Sequence, residues 1–358
     1  MNKKILVVEP YFGGSHRQFL LGLQKHVPAN YTLLTLPARK WKMRMQLSAP
    51  WFAWCIEQMD DRYFDTVLCS TFVDVAVLKA LVVTMESWNP NCTFCTYFHE
   101  NQCIYPTRQE KRIRNQFAAI NFTTALASDR LAFNSHYNWQ TFINSCSRFV
   151  RKAADMDLCR SIAGIEEKTS IIYPGVDFGF FRKRNQPQGI PVICWNHRWE
   201  HDKNPEIFFQ ALVEVEEKGY DFRLVVLGQA FRDIPEIFNH AKIRFASKIL
   251  HFGFAPTRRE YVTLLEKCDI VVSTAQHEFF GIAVVEAVRA GCIPVLPNTL
   301  SYPELYPEEY LYAEGQLVEH LVRFLDDFLH KKVAPHSINT ERFSWLTLKE
   351  DYKKWLDA

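Results

Sequence analysis

The sequence predicts an α/β protein with two doubly wound parallel sheets, and two observations support this. Strand-like apolar runs alternate with helix-like patterns along most of the 358 residues. The alternation restarts once, after "YPGVDFGFFRKRNQPQG", a segment rich in Gly, Pro and charge. Because one hydrophobic core rarely serves a chain of this length, we expect two domains.

The first series of elements precedes that segment. Strands are predicted at "KILVVEP", "YTLLTLP", "FDTVLCST", "TFCTYFHE", "RLAFNS" and "SIIYPGVD". Helices are predicted at "SHRQFLLGLQKH", "VDVAVLKALVV" and "HYNWQTFINSC". The expected first domain covers residues 1–175.

The second series gives a domain over residues 176–335. Its strands are predicted at "IPVICWNHR", "FRLVVLG", "CDIVVSTA" and "IPVLP", and its helices at "PEIFFQALVEVEEKG" and "GIAVVEAVRAG". A last helix within 336–358 has apolar residues at helical spacing and should pack back across the domains: Trp345, Leu348, Tyr352 and Trp355. Ligands of such sheets bind outside the carboxyl ends of the strands, and two facing sheets would form one cleft.

Composition excludes several classes of protein. A hydrophobic content of 48% does not suit a disordered chain, and no apolar run approaches the roughly 20 residues of a membrane span. The N-terminal apolar run meets Glu9 and Pro10 at once, so it predicts a strand and not a signal peptide. We therefore expect a cytoplasmic protein with reduced cysteines and no membrane association. Nothing in the sequence selects an oligomeric state.

No metal or cofactor is expected. The pair Cys92 and Cys95 forms a single CxxC inside a strand-like run, without a second pair at zinc spacing. Asp155 and Asp157 have the DxD letters of metal-dependent glycosyltransferases of another fold, but they lie in "VRKAADMDLCR", which predicts a solvated helix.

Basic residues concentrate in the first half. Residues 1–170 carry a net charge of +6 and the remainder −4, which hints at an anionic partner for the first domain. Two stretches stand out. "LPARKWKMRMQ" places four cations around Trp41, and "RQEKRIRNQ" adds another four: Arg39, Lys40, Lys42 and Arg44, then Arg108, Lys111, Arg112 and Arg114. Cations bind phosphates and an indole stacks on an unpaired base, although a solvated basic face has the same pattern.

The first strand is followed by "YFGGSHRQF". Gly13 and Gly14 permit close approach of a ligand to the backbone, Ser15 can cap the helix, and the helix N-terminus favours an anion. The loop is neither GxGxxG nor a P-loop, and an ordinary tight turn explains it equally well.

The segment "WNHRWEHDKNPEIFF" opens the second domain. Arg198 follows an apolar strand, Lys203 lies five residues on, Asn204 is a candidate N-cap, and Pro205 suits the first helical position. Two cations beside a helix N-terminus can clamp a diphosphate. The alternative is a solvated loop whose cations pair with the neighbouring Glu200 and Asp202.

"AQHEFFGIAVVEAVRAGC" contains two glutamates. Glu278 is predicted in a loop and Glu286 in the second turn of a helix that starts near Gly281. Apolar neighbours flank Glu286 on both sides, so this carboxylate should be buried, and a buried carboxylate needs a partner. Vicinal hydroxyls of a ribose or sugar would satisfy it, while the helix N-terminus favours phosphate.

A third polar cluster ends the strand "TFCTYF". His99, Glu100 and Asn101 lie where a hydroxyl could be oriented, and "NSHYN" is similarly placed after the next strand. A lone His at a strand end is more often structural, but the adjacent Glu and Asn favour a site.

These motifs resemble, in order along the chain, those of retaining GT-B glycosyltransferases. The donor-site E-x7-E pattern is matched by Glu278 and Glu286 with "FFG" between them, and the Arg-Lys pair by Arg198 and Lys203. The hinge motif is matched loosely by "YPGVD", and the Gly-rich loop by Gly13 and Gly14. The resemblance implies a GT-B fold, in which the first domain handles the acceptor.

A closer resemblance is to the tRNA-queuosine α-mannosyltransferases. It rests on "EPYFGGSH", "LPARKWKMR", "YFHENQCIYP", "FNSHYN", "HRWEHDKNPE", "HEFFGIAVVEAV" and "YPELYPEEYLY". The family transfers mannose from GDP-mannose onto the cyclopentenediol of queuosine at a tRNA wobble position. The resemblance therefore implies GDP-mannose as donor and queuosine-containing tRNA as acceptor and partner, with retention of configuration.

The resemblance also assigns residues. The catalytic set is His99, Arg198, Lys203 and Glu278. Donor binding adds Gly13, Gly14, Gly228, Phe254, Phe280, Gly281, Ile282 and Glu286. Acceptor binding adds His16, Arg39, Lys40, Trp41, Lys42, Arg44, Glu100, Asn101, Arg112, Arg114 and Ser135.

Two other functions remain open at this point. A GT-B enzyme that glycosylates a lipid or polysaccharide would use "RKWKMRMQL" as a basic membrane face. A noncatalytic tRNA-binding protein on the same scaffold is the other, although the full set of Arg198, Lys203, Glu278 and Glu286 argues against it. A dehydrogenase lacks support because the glycine fingerprint is missing.

Overall fold

The computed structural model describes residues 3–104, 111–153, 155–182, 189–230, 234–330 and 338–357. The chain divides into two compact units. The N-terminal unit comprises Met1–Val176 with Phe343–Ala358, and the C-terminal unit comprises Asp177–Arg342. The C-terminal unit thus extends beyond the predicted end at 335. Arg289 pairs with Glu341, and Arg342 donates to the carbonyl of Leu305, so the last residues of this unit are held to it.

The N-terminal unit contains a six-stranded parallel sheet in the order β2-β1-β3-β4-β5-β6. Its strands are β1 Lys4–Phe12, β2 Asn30–Pro37, β3 Thr66–Ser70, β4 Thr93–Phe98, β5 Arg130–Phe133 and β6 Thr169–Ile171. Its helices are α1 Gly14–His26, α2 Trp41–Glu57, α3 Val75–Val82, α4 Lys111–Ala127, α5 His136–Val150 and α6 Cys159–Glu167, with α13 Trp345–Leu356 from the chain end. All six predicted strands of this series are present.

The helix α2 has no counterpart among the predicted elements, because its basic and aromatic residues do not form a simple amphipathic pattern. One face is nevertheless buried: Ala49, Phe52 and Ile56 belong to the core beside β1 and β3, and Met45 clusters with Phe72 and Phe117. Pro50 lies inside this helix and supplies no N–H to it.

The C-terminal unit repeats the architecture with the strand order β12-β11-β10-β7-β8-β9. Its strands are β7 Val192–Asn196, β8 Arg223–Leu227, β9 Ile249–Gly253, β10 Ile270–Val272, β11 Ile293–Pro297 and β12 Leu311–Tyr312. Its helices are α7 Pro205–Glu217, α8 Ile237–Arg244, α9 Arg258–Leu265, α10 Ile282–Arg289, α11 Tyr302–Leu305 and α12 Leu317–Leu329. The predicted α/β class with two doubly wound sheets is confirmed.

The last helix packs on the N-terminal unit through its four predicted apolar residues, all of which are buried. Trp345 lies so close to two glycines that a methyl group at Gly22 or Gly175 would approach its ring within 2.1 or 2.2 Å. The Tyr352 hydroxyl reaches the carbonyl of Tyr173 at 2.8 Å. The chain end is therefore an integral part of this core.

The structure shows the state of the cysteines and the location of the two aspartates of the DxD motif. All ten cysteines are free, and Cys92 and Cys95 are buried at the start of β4. The prediction that Asp155 and Asp157 lie in a helix is wrong. Both are exposed in the loop before α6, where Asp157 accepts a hydrogen bond from the Cys159 amide at 2.9 Å.

Two absences hold for the described ranges. No group of three His, Cys, Asp or Glu side chains is arranged there to hold a metal ion. Within the same ranges, the helices are too short or too polar to cross a membrane.

Candidate functional site

The strand order of the C-terminal unit brings two distant loops together. Strands β7 and β10 are neighbours although β8 and β9 follow β7 in the chain, so the crossover direction reverses between them. Such a switch point leaves a crevice at the carboxyl ends of the strands, where α/β proteins bind ligands. The two loops are bonded to each other, since the Gln276 amide donates to the carbonyl of Asp202 and the Thr274 hydroxyl to that of Lys203.

Lys203 is buried in this crevice. Its ammonium donates to the carbonyl of His277 and lies 3.3 Å from carboxylate oxygens of both Asp202 and Glu278. Burial by itself would raise the pKa of Glu278, but Lys203 and then His197 outweigh it and lower that pKa to about 2. Glu278 is therefore ionised at neutral pH.

The local turn differs from the prediction in one respect. Pro205 is the first residue of α7, as expected, but the side chain of Asn204 does not cap the helix. Asn204 adopts the left-handed conformation with φ 50°, which turns the chain between Lys203 and the helix. Asparagine tolerates this conformation better than most residues.

Arg198 lies at the other side of the same loop. Its side chain is half-exposed, and one guanidinium nitrogen lies 3.0 Å from a carboxylate oxygen of Glu200. This is the ion pair that the alternative interpretation of a charged loop predicted. The neighbouring His197 is buried, and burial together with Lys203 lowers its pKa to about 4, so it is neutral at pH 7.

Glu286 is buried, as its apolar neighbours in α10 predict, and is 5% exposed. Its two oxygens have different partners within the unit: Arg258 at 2.7 Å and the hydroxyl of Tyr261 at 2.6 Å. The Tyr261 oxygen in turn accepts from the amide of Asn196 at 2.8 Å. A carboxylate has about four acceptor positions, so these two bonds leave capacity for ligand hydroxyls.

Helix α10 begins directly at the site. Gly281 is its N-cap in the left-handed conformation, with φ 89° and ψ 48°, which explains the glycine there. Ile282 is the first helical residue. The side chain of Phe280 is buried, and its amide donates to Glu278 at 3.5 Å.

Two further predicted donor residues lie in neighbouring loops. Gly228 follows β8, and a methyl group there would lie 1.8 Å from the carbonyl oxygen of His197, so the two backbones touch. Phe254 follows β9 and its side chain is exposed.

The N-terminal unit has a second cluster, which combines residues of β1, α1 and the loop after β4. The Nδ1 of His16 lies 2.9 Å from one oxygen of Glu9, and its Nε2 lies 3.5 Å from Glu100. Burial lowers the pKa of His16, but the two carboxylates outweigh it and raise it to about 10. His16 is therefore an imidazolium ion held between two carboxylates.

His99 faces that cation. The ring centroids of His16 and His99 are 4.1 Å apart. Burial, and secondarily the charge of His16, place the pKa of His99 well below its usual value. A charged and a neutral imidazole therefore stand side by side, and the neutral ring of His99 can accept a hydrogen bond.

The other residues predicted around this cluster have structural partners. The N-cap of α1 is Gly13 and not Ser15, because the helix begins at Gly14. The buried Asn101 donates to the side chain of Asn138 at 2.9 Å. Ser135 is the N-cap of α5 and accepts from the amide of Asn138 at 3.0 Å.

The first basic stretch leads into α2. Arg39 and Lys40 are exposed before the helix, and the ammonium of Lys42 lies 5.5 Å from the ring centroid of Trp41. Trp41 itself is only partly exposed, because it packs on Phe72 and Phe117. Of the second stretch, Arg108 and the side chains of Lys111, Arg112 and Arg114 lie outside the described residues.

Sequence reasoning missed several residues of both clusters. The sequence suggests Asp202 only as an ion-pair partner within a solvated loop, and Glu9 only as the end of an apolar run. Arg258 and Tyr261 lie on α9, whose sequence resembles an ordinary surface helix. Their role depends on α9 lying beside α10, and no local pattern signals this neighbourhood.

The fold is identified by comparison with solved structures. Anabaena HepE in complex with UDP-glucose has a TM-score of 0.71, with 15% identity and 99% of both chains covered. WaaG, a glycosyltransferase involved in lipopolysaccharide biosynthesis, has a TM-score of 0.64, with 16% identity and 99% of both chains covered. At these identities the likeness shows the fold, which is the GT-B fold of glycosyltransferases.

The family follows from sequence comparison. Residues 4–176 match the family described as tRNA-queuosine alpha-mannosyltransferase N-terminal, and residues 178–343 match glycosyl transferases group 1. The chain is 34% identical over 366 residues to the tRNA-queuosine alpha-mannosyltransferase of Drosophila melanogaster, covering 99% of this chain and 95% of the relative. The chain therefore belongs to the tRNA-queuosine alpha-mannosyltransferase family, which confirms the resemblance seen in the sequence.

A more distant relative shares part of the chain. The GDP-mannose:cellobiosyl-diphosphopolyprenol alpha-mannosyltransferase of Xanthomonas campestris is 24% identical over 140 residues, covering 38% of this chain and 37% of the relative.

Proposed function

We propose that this protein transfers mannose from GDP-mannose to a cyclopentenediol hydroxyl of queuosine in tRNA, with retention of configuration and without a metal ion. The acceptor follows from family membership, and a second relative carries GDP-mannose in its name. The tRNA substrate would place the reaction in the cytoplasm.

The observation that carries the proposal is the arrangement of Lys203, Glu278 and the N-terminus of α10 at one switch point. The helix N-terminus and the half-exposed Arg198 would meet the diphosphate. Lys203 would exchange one of its present carboxylate contacts for a phosphate oxygen. The ionised Glu278 would accept hydrogen bonds from sugar hydroxyls, and Glu286 from those of the ribose.

The bond between the anomeric carbon and the β-phosphate oxygen breaks, and a bond from that carbon to the acceptor oxygen forms on the same face. The hydroxyl proton of the acceptor passes to the departing phosphate. Arg198 and Lys203 stabilise the charge that develops on the diphosphate, which is the electrostatic contribution a metal supplies elsewhere. The neutral His99 would orient the acceptor hydroxyl.

The decisive test is incubation with labelled GDP-mannose and queuosine-containing tRNA. We expect label in the tRNA, and none with labelled UDP-sugars or with tRNA that lacks queuosine. Label that enters unmodified tRNA, or a lipid fraction, would contradict the proposed acceptor. Retention predicts an α-linked product from the α-linked donor, and activity should survive EDTA.

The donor site is tested with a matched pair of arginines. Arg198 and Arg244 are both half-exposed and both paired with a glutamate, Glu200 and Glu216 respectively. Arg198→Ala should lower kcat roughly 100-fold or more, since it removes a donor to the leaving group, whereas Arg244→Ala should leave kcat unchanged. Equal activities of the two variants would refute the role of Arg198.

A further inference from the structure

One face of α2 exposes large apolar side chains in a continuous row. The row, which we name the α2 stripe, consists of Met43, Leu47, Trp51 and Trp54, each between 49% and 56% exposed. Their spacing of four, four and three residues places them on one side of the helix. The rings of Trp51 and Trp54 contact each other, with centroids 5.3 Å apart and planes inclined by 43°, and each residue is still about half exposed.

Cations surround one end of the stripe. A groove of about 430 Å³ is lined by Arg39, Lys40 and Arg44 together with stripe residues Leu47 and Trp51. The sequence contains no Asp or Glu from Pro37 to Ile56, so the acidic residue of α2 is its last, Glu57, at the end of the stripe away from the groove. The Nε of Arg44 is buried and has no hydrogen-bond partner among the residues that the structure describes.

We propose that the α2 stripe and its basic groove bind unpaired nucleotides of the tRNA that flank the modified nucleoside. The inference rests on the proposed function. It adds a second region that binds the tRNA, through nucleotides other than the one that carries the reacting hydroxyl. The cations of the groove bind phosphates, and the two exposed indoles stack on bases. Charge complementarity favours a nucleic acid over an apolar protein as the partner, because an apolar protein would not need the cations.

The exposure of the tryptophans indicates which of them can stack on bases. Trp41 was the sequence-based candidate for stacking, but it packs on Phe72 and Phe117 and is only partly exposed. Trp51 and Trp54 each leave about half of the side chain open. From Trp41 to Trp54 the helix rises about 20 Å, which is enough for a strand of several nucleotides.

The double substitution Trp51→Ala with Trp54→Ala tests the stacking. We expect KM for queuosine-containing tRNA to rise about 10- to 100-fold, as base stacking on aromatic residues implies. The kcat should change less than about twofold, and transfer to the free queuosine nucleoside should be unaffected because stacking on flanking bases is absent there. Trp51→Phe with Trp54→Phe should recover most of the tRNA affinity. Phe149→Ala, which removes an exposed aromatic ring from α5 of the same unit, is the control.

The cations are tested through salt dependence. Arg39→Ala with Arg44→Ala should weaken tRNA binding in a gel-shift titration and reduce the slope of log K against log salt by about one for each lost phosphate contact. Arg148→Ala, which removes an exposed arginine from α5, should leave the slope unchanged.

Three outcomes overturn the proposal or separate it from the proposed function. An unchanged KM for tRNA in the Trp51→Ala, Trp54→Ala variant refutes the stripe as an RNA site. Flotation of the wild type with anionic phospholipid vesicles, lost in that variant while tRNA binding persists, assigns the stripe to a membrane instead. A wild type that binds tRNA through the stripe but transfers no mannose refutes the proposed function and leaves the stripe standing.

Discussion

Replacement of Lys203 by Met tests whether the buried ion pair organises the donor site. In the wild type the ammonium lies 3.3 Å from both Asp202 and Glu278 and donates to the carbonyl of His277. Methionine has a similar length and no charge. The substitution therefore leaves two carboxylates facing each other in the crevice without their cation.

The magnitude follows from the pKa of Glu278, which falls from 4.5 to about 2 on folding. Such a change contributes about 3 kcal/mol to the free energy of unfolding at neutral pH. Among the groups that lower the pKa of Glu278, Lys203 has the largest effect. Removal of one partner from a buried ion pair typically costs about 3–5 kcal/mol. Because the Glu278 side chain is 22% exposed, solvent screens part of this, and we expect a loss of about 2–3 kcal/mol.

The pH dependence has a definite sign. Since the pKa of Glu278 is lowered by folding, its contribution is present above pH 4.5 and is lost as the pH falls toward 2. The difference in stability between the wild type and Lys203→Met should therefore be largest at neutral pH. It should shrink between pH 4.5 and pH 2.

The assay is urea denaturation at several pH values, combined with hydrogen exchange of the β7 and β10 peptides to locate the change in the C-terminal unit. Lys218→Met, which removes an exposed lysine after α7, is the control and should behave as the wild type. Transfer activity should fall roughly 100-fold or more in Lys203→Met. A loss under about 0.5 kcal/mol at pH 7, or a difference that grows toward acid pH, would refute the reasoning.

Three other substitutions have expected outcomes. Gly228→Ala should destabilise the protein by more than about 2 kcal/mol in thermal melts. The new methyl group would lie 1.8 Å from the carbonyl oxygen of His197, and the φ of Gly228 is 148°. A wild-type melting temperature would contradict this close approach. Gly13→Ala should be destabilising because the new Cβ would lie 2.4 Å from that of Ala38, and Ala38→Gly in the same chain should restore stability; no rescue would show that another contact is responsible. Tyr261→Phe removes a 2.6 Å hydrogen bond to Glu286 and should raise KM for the donor about 3- to 10-fold with kcat nearly unchanged; a fall in kcat alone would place Tyr261 in the chemical step instead.

Local patterns in the sequence were sufficient for much of the fold. The alternation of strands and helices predicted both sheets because each buried parallel strand is a short apolar run between turn residues. Local patterns also predicted the burial of Glu286, since its neighbours in the chain form the packed face of α10. The basic helix α2 was missed, because its exposed face is itself apolar and hides the amphipathic period.

The candidate site could be predicted only in part. The sequence identified Arg198, Lys203 and Glu278 as charged groups in loops that follow strands, and Glu286 as a carboxylate within a helix; their roles remain predictions. Glu9 could not be recognised, because its pairing with His16 depends on how α1 leaves β1. The local sequence around a glutamate in an apolar strand does not show whether a charged side chain from another element will lie next to it.

By itself the sequence determined which segments form strands and helices and where charged groups follow them, because these depend on side-chain periodicity and turn chemistry. Only the tertiary structure decided that Lys203 meets Glu278, 75 residues further on. Their loops adjoin because β10 inserts beside β7, and strand order is a property of the whole sheet. It likewise decided that Trp41 is packed while Trp51 and Trp54 are open, because contacts from distant elements determine which residues of a helix remain exposed.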